Sequence, residues 1–164
     1  MDTIEIMATG RIELGPNGRA VAANVKRLRL ARGMSLRALS EALGSAGRSL
    51  SQDAINKIEN GAKEGSKSVR RVDVDDLVAL AAALRVNPSA LLLPLTDDPA
   101  DVIALAGVGE VNAEKAWDWM DGELPIEDIK PGDPQGAILQ FQVYARPVGR
   151  RMQLAAGEDR DSDG

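Results

Sequence analysis

The 164-residue sequence contains neither cysteine nor histidine. Together these absences exclude disulfide frameworks, zinc sites built on thiolate or imidazole, thiol nucleophiles and every mechanism that needs an imidazole base. Long apolar runs are missing too. The longest, Leu77 to Leu84, falls far short of the roughly 20 residues that cross a bilayer. The opening residues Met1-Asp2-Thr3-Ile4-Glu5 are acidic where a secretory leader would be basic, and no secretory apolar core follows them. The expectation is a cytoplasmic protein with no membrane association, and no metal or cofactor is implied.

A net charge of −5 argues against a nucleic-acid partner only until the chain is divided, because the distribution of charge sets the local field. Residues 19–85 carry 13 Lys and Arg against 7 Asp and Glu, residues 1–18 carry 1 against 3, and residues 86–164 carry 6 against 15. One basic segment is therefore set between acidic ones, the asymmetry expected when a single module faces phosphates.

The basic segment has helical periodicity. Val21, Val25 and Leu28 share one face of a first helix starting at Arg19, and Gly33 stands where a left-handed residue would end it. Ser35 is an N-cap for a second helix, whose stripe of Leu36, Leu39 and Leu43 stops at Gly44. Ser51 caps a third helix, in which Ile55 and Ile58 repeat until Gly61. Asp73 opens a fourth, lined by Leu77, Leu80, Ala81 and Leu84, and Asn87-Pro88 starts a short fifth that ends at Pro94. The expected fold class is mainly α, a five-helix domain over 19–94.

The flanks are less patterned. Residues 1–18 read as a hairpin or a loose arm. Residues 95–156 read as a small interaction or dimerisation domain, entered through the acidic break Asp97-Asp98-Pro99. Within it 102–111 suits a strand or an apolar helix, 112–122 a helix, 125–134 a loop, and 135–145 a helix or strand. Trp117 and Trp119, two apart in a helical stretch, would point about 200° apart, so one packs inside and the other meets a neighbour. The acidic tail 157–164 has nothing to bury and is expected to be disordered.

On the third helix, if Ile55 and Ile58 face the core, a 100° step places Asp53, Asn56, Lys57 and Asn60 on the opposite side with Gln52 at the exposed N-terminal flank. Amide side chains pair with adenine edges, lysine with guanine acceptors and aspartate with the cytosine amine. Gln52, Asp53, Asn56 and Lys57 are accordingly the candidate base contacts. Asp53 has a second role open to it, stabilising the positive end of the helix dipole. Arg37, Arg48, Ser51, Asn60, Lys63, Lys67, Arg70 and Arg71 flank that helix and are the candidate phosphate contacts, which give affinity and register without reading sequence.

The run Ser51-Gln52-Asp53-Ala54-Ile55-Asn56-Lys57-Ile58-Glu59-Asn60-Gly61 resembles the recognition helix of the Xre-type, Cro- and lambda-repressor-like helix-turn-helix family. Val25 to Arg29 with Gly33, Ser35 to Leu39, Val78 to Leu84 and Val86 to Leu92 resemble the helices around it, in the family's order. The resemblance implies a lambda-repressor-like fold, a double-stranded DNA partner and a buried ion pair between Arg29 and Glu59 that orients the helix without touching bases. It also implies a homodimer on two half-sites as one arrangement. Two departures stand out: the turn between the second and third helices is longer than in the shortest members, and Leu36 occupies a place where many relatives carry a phosphate-contacting glutamine.

The expected function is a sequence-specific transcriptional regulator, most simply a repressor, with a phage immunity repressor among the possibilities. An alternative is an antitoxin whose residues 95–156 bind a toxin. A carboxylate-based enzyme using Asp97 with Asp98 or Asp118 with Asp121 is disfavoured, since these acids sit in capping, linker or solvated-helix contexts.

Overall fold

The computed structural model describes residues 12–152. Helix α1 spans Pro16–Ala31, α2 Leu36–Ser45, α3 Gln52–Glu59, α4 Val74–Ala83 and α5 Ser89–Leu92. A two-stranded hairpin follows, β1 (Val102–Leu105) and β2 (Gly109–Asn112), then α6 (Ala113–Met120) and α7 (Pro134–Ala145). The chain is mainly α, and it divides into two compact units at Glu114/Lys115.

Helix α1 begins at Pro16 rather than Arg19, because a proline in the first turn supplies the helical φ and lacks an amide that would have no partner there anyway. It ends as its sequence suggested. Gly33 adopts a φ of 65°, its amide donates to the carbonyl of Leu30, and that of Met34 donates to Arg29. These two bonds close a left-handed helix end. Helix α2 does not stop at Gly44. It runs on to Ser45, and Gly47, at φ 84°, makes the same closure, with the Arg48 amide donating to the Leu43 carbonyl at 3.0 Å.

Gly61 is a second correction. It is no left-handed cap but the buried middle of a 3-10 turn, Asn60–Ala62, that extends α3. A Cβ there would meet Leu14 Cδ1 and stand 3.3 Å from Ala22 Cβ, so a side chain would have to displace the end of Leu14 and press on Ala22. Close approach, not backbone conformation, explains this glycine.

The core of the first unit gathers one face of each helix: Val21, Val25 and Leu28 from α1, Leu39 and Leu43 from α2, Ile55 and Ile58 from α3, Leu80, Ala81 and Leu84 from α4 or its end, and Leu91 from α5. Truncating one of the fully enclosed leucines would cost about 2–5 kcal/mol. Asn24 sits on this apolar side of α1 and is buried because its Nδ2 donates to the carbonyls of Leu91 (3.1 Å) and Leu93 (2.7 Å), tying α1 to α5.

The unit does not end at Pro94. The acidic stretch Asp97–Pro99 leads straight into the hairpin, whose strands pair antiparallel with Ile103 opposite Val111 and Leu105 opposite Gly109. Ile103 and Leu105 point inward while Val102 and Ala104 alternate outward, and Asn17 Oδ1 on α1 accepts from the Ala106 amide at 2.8 Å. Of the two readings open for 102–111, the structure takes strands.

In the second unit, α7 is capped by Asp133, which accepts from the Gly136 amide, so 135–145 is helical. Buried Gln142 donates to the Glu123 carbonyl and accepts from the Met152 amide at 2.6 Å. Trp117 and Trp119 lie on α6 and both are half-buried. The expected arm or hairpin over 1–18 falls, up to residue 11, outside the described residues; Ile12–Gly15 is irregular and Pro16 is already helical. The expected disordered tail 157–164 also lies outside them. Among the described residues no helix is long and apolar enough to cross a membrane.

Candidate nucleic-acid interface

Helix α3 is fixed from behind and open in front. Ile55 and Ile58 enter the core, and Glu59 is buried beside them. Glu59 accepts two bonds from one guanidinium, Arg29 Nε to Oε1 at 2.6 Å and Nη2 to Oε2 at 2.9 Å, while Arg29 Nη1 donates to the Met34 carbonyl. The planar fork matches the carboxylate, so the pair clamps the last turn of α3 to the end of α1. Loss of one partner would strand a buried charge, at a cost of about 3 kcal/mol or more.

At the other end Ser51 Oγ accepts from the Ala54 amide at 3.1 Å, fixing the first turn. Between these anchors Gln52, Asp53 and Asn56 are exposed and Lys57 is half-buried. Lys57 is not free-standing: its Nζ lies 2.7 Å from Asp53 Oδ2, one turn back along the same face. Two candidate base contacts thus neutralise each other, and Asp53 also favours the helix start by its charge.

The candidate phosphate contacts fall into two groups. Lys63 and Lys67 are exposed on the loop after α3. The others have partners within the fold. Arg37 pairs with Glu41 on the surface of α2 at 2.8 Å, Arg71 donates to the Glu13 carbonyl, and Asn60 Nδ2 to that of Ser68. Ser51 is engaged in capping, which leaves its hydroxyl hydrogen available.

Arg48 and Arg70 meet on a residue whose role the sequence did not reveal, Asp76. Its carboxylate is fully enclosed, with 0 % side-chain exposure, and accepts from Arg48 Nε at 2.8 Å and Arg70 Nη2 at 2.9 Å; Arg48 Nη2 reaches Asp73 Oδ2 as well. Burial alone would raise this carboxyl, but the hydrogen bonds from Arg70 and Arg48, with their charges, outweigh it and hold Asp76 below its ordinary value. The two arginines come from opposite flanks of α3, the turn before it and the loop after it. The only signal for Asp76 was an acid one helical turn inside a cap, ordinarily a dipole effect.

This arrangement, a capped helix anchored by its inner face and last turn beside a preceding helix, is that of a helix-turn-helix domain. Residues 25–91 match the helix-turn-helix family model, Xre-like and of the Cro/C1 type, a family of DNA-binding regulatory domains. No curated protein and no solved structure gave a significant match to the chain.

Proposed function

We propose that the protein is a transcriptional repressor that binds a specific double-stranded DNA site, with the exposed face of α3 lying in the major groove. The observation that carries this reading is the exposed set Gln52, Asp53 and Asn56 on the first turns of a helix whose start is capped by Ser51 and whose far end is clamped through Glu59. In this motif the amino-terminal half of the second helix meets base edges. The amides of Gln52 and Asn56 take adenine; Lys57 takes guanine once it leaves Asp53. Lys63 and Lys67, with Arg37 on α2 and the remaining donors of Arg48, Arg70 and Arg71, lie on phosphates. Occupying a promoter needs no chemistry beyond binding.

Selection of bound sites from random DNA tests the proposal, followed by competition with the selected site. Gln52→Ala or Asn56→Ala should cost on the order of 1–3 kcal/mol on that site and relax preference at one or two base pairs. Equal weakening on random DNA would remove α3 as the reader.

A further inference from the structure

One cavity of the first unit has the chemistry of a ligand site. It measures about 350 Å³ and opens between the start of α1, the start of α4 and residues 70–73. Val72, Leu77 and Leu92 form much of its wall; each packs on the core by one side yet stays half-buried. Val21 of α1 and Ile58, from the inner face of α3, are enclosed and lie at its back. An apolar cavity of about 150 Å³ holds benzene, so this one takes a molecule of roughly a dozen heavy atoms.

The polar part of the wall is cationic and incomplete. Arg70 Nη2 is engaged by Asp76 at 2.9 Å, but Arg70 Nε is shut off from solvent and has no acceptor among the described residues. An enclosed donor left without a partner is unfavourable. Arg71, exposed at the mouth beside Val74, donates to the Glu13 carbonyl and pairs with no carboxylate among the described residues. Asp73, the only acid among the described residues lining the cavity, has both oxygens taken, Oδ1 by the Asp76 amide and Oδ2 by Arg48. Asn17 is committed as well, to the Leu92 carbonyl and the Ala106 amide. What the wall still calls for is an acceptor, and one of negative charge.

We propose that this cavity binds a small amphipathic carboxylate, its apolar body against Val72, Leu77 and Leu92 and its head accepting from Arg70 Nε and Arg71. Two coplanar oxygens suit guanidinium donors, whereas a hydrocarbon would leave Nε bare and a cation would be repelled. An occupant also lies against the back of the reading helix, because Ile58 belongs to α3 and the Arg70 amide donates to the Lys57 carbonyl at 3.1 Å. The arginines that hold the head are among those assigned to phosphates above. Ligand and DNA therefore compete, each lowering affinity for the other by the same factor. That consequence rests on the proposed reading of DNA; the site itself does not.

Titration calorimetry of the full chain with decanoate, in the absence of DNA, tests the site. Decanoate should bind, and decanol should bind about tenfold or more weakly. Arg71→Gln should weaken decanoate about tenfold and leave decanol unchanged. Val72→Trp, which fills the space, should abolish binding of both, with an unchanged far-ultraviolet circular dichroism spectrum to show that the chain is folded. No binding of decanoate, binding no tighter than that of decanol, or binding unaltered by both substitutions overturns the proposal. Fluorescence anisotropy on the selected DNA site then reads the competition. Saturating decanoate should weaken DNA binding about tenfold in the wild-type chain and not in Val72→Trp. A chain that binds decanoate but holds DNA as tightly as before overturns the coupling, while a failure to select any DNA site counts against the reading helix and leaves the calorimetric result standing.

Discussion

Asp76 has the chemistry of a structural switch set permanently on. Its carboxyl is held below the ordinary range, so its contribution to stability is present in full above the unfolded-chain value of about 3.9 and disappears as the pH falls through the lower folded value. Asp76→Asn should therefore be markedly less stable than wild type at pH 7. The gap should narrow as the pH falls below the unfolded-chain value, since the unfolded wild-type chain then takes up a proton that the folded carboxyl resists. Urea unfolding of both chains across that range checks the sign; a gap that widens on acidification would mean that Arg48 and Arg70 do not depend on this charge. The Arg29–Glu59 pair was legible from the family resemblance. Asp76 was not, because its partners lie 28 and 6 residues away and no local periodicity connects them.

Among the elements, those whose ends are set by neighbouring residues were read well. Ser35, Ser51 and Asp73 each cap the helix they precede, accepting from the amide three residues on. The misreadings came where a residue type has more than one physical use. Gly44 looked like a terminator, but Gly47 supplies the left-handed residue; Gly61 looked like one too, and instead lies in a 3-10 turn packed closely against Leu14 and Ala22. Strand or helix could not be decided for 102–111 from an Ala, Val and Gly composition, since the choice is made by Ile103 and Leu105 finding a buried surface. Ser51 is the cap with the largest functional reach. Ser51→Ala should cost about 1 kcal/mol of stability and weaken DNA binding more than the equivalent Ser35→Ala, because it loosens the turn that carries Gln52 and Asp53. Thermal unfolding beside a binding titration separates the two effects, and equal binding by both variants would show that the first turn of α3 is held by other contacts.

For the molecule as a whole, charge is partitioned rather than summed. The acidic residues that give a net −5 lie largely beyond the segment that holds Lys63, Lys67 and the arginines around α3, so a basic surface survives within an acidic chain. Replacing Lys63 and Lys67 together by Gln should lower the slope of log affinity against log salt by about 2, with equal effect on specific and random DNA. Fluorescence anisotropy over a salt series measures it, and an unaltered slope would take both lysines off the phosphates. The enclosed carboxylate between Arg48 and Arg70 also constrains how such a domain can be altered. The stretch preceding the reading helix and the one following it are latched to a single point on α4. Neither can be lengthened, trimmed or exchanged for a homologous loop in isolation, and a graft that transplants one without its arginine leaves the other hanging from an acid with half its counter-charge gone.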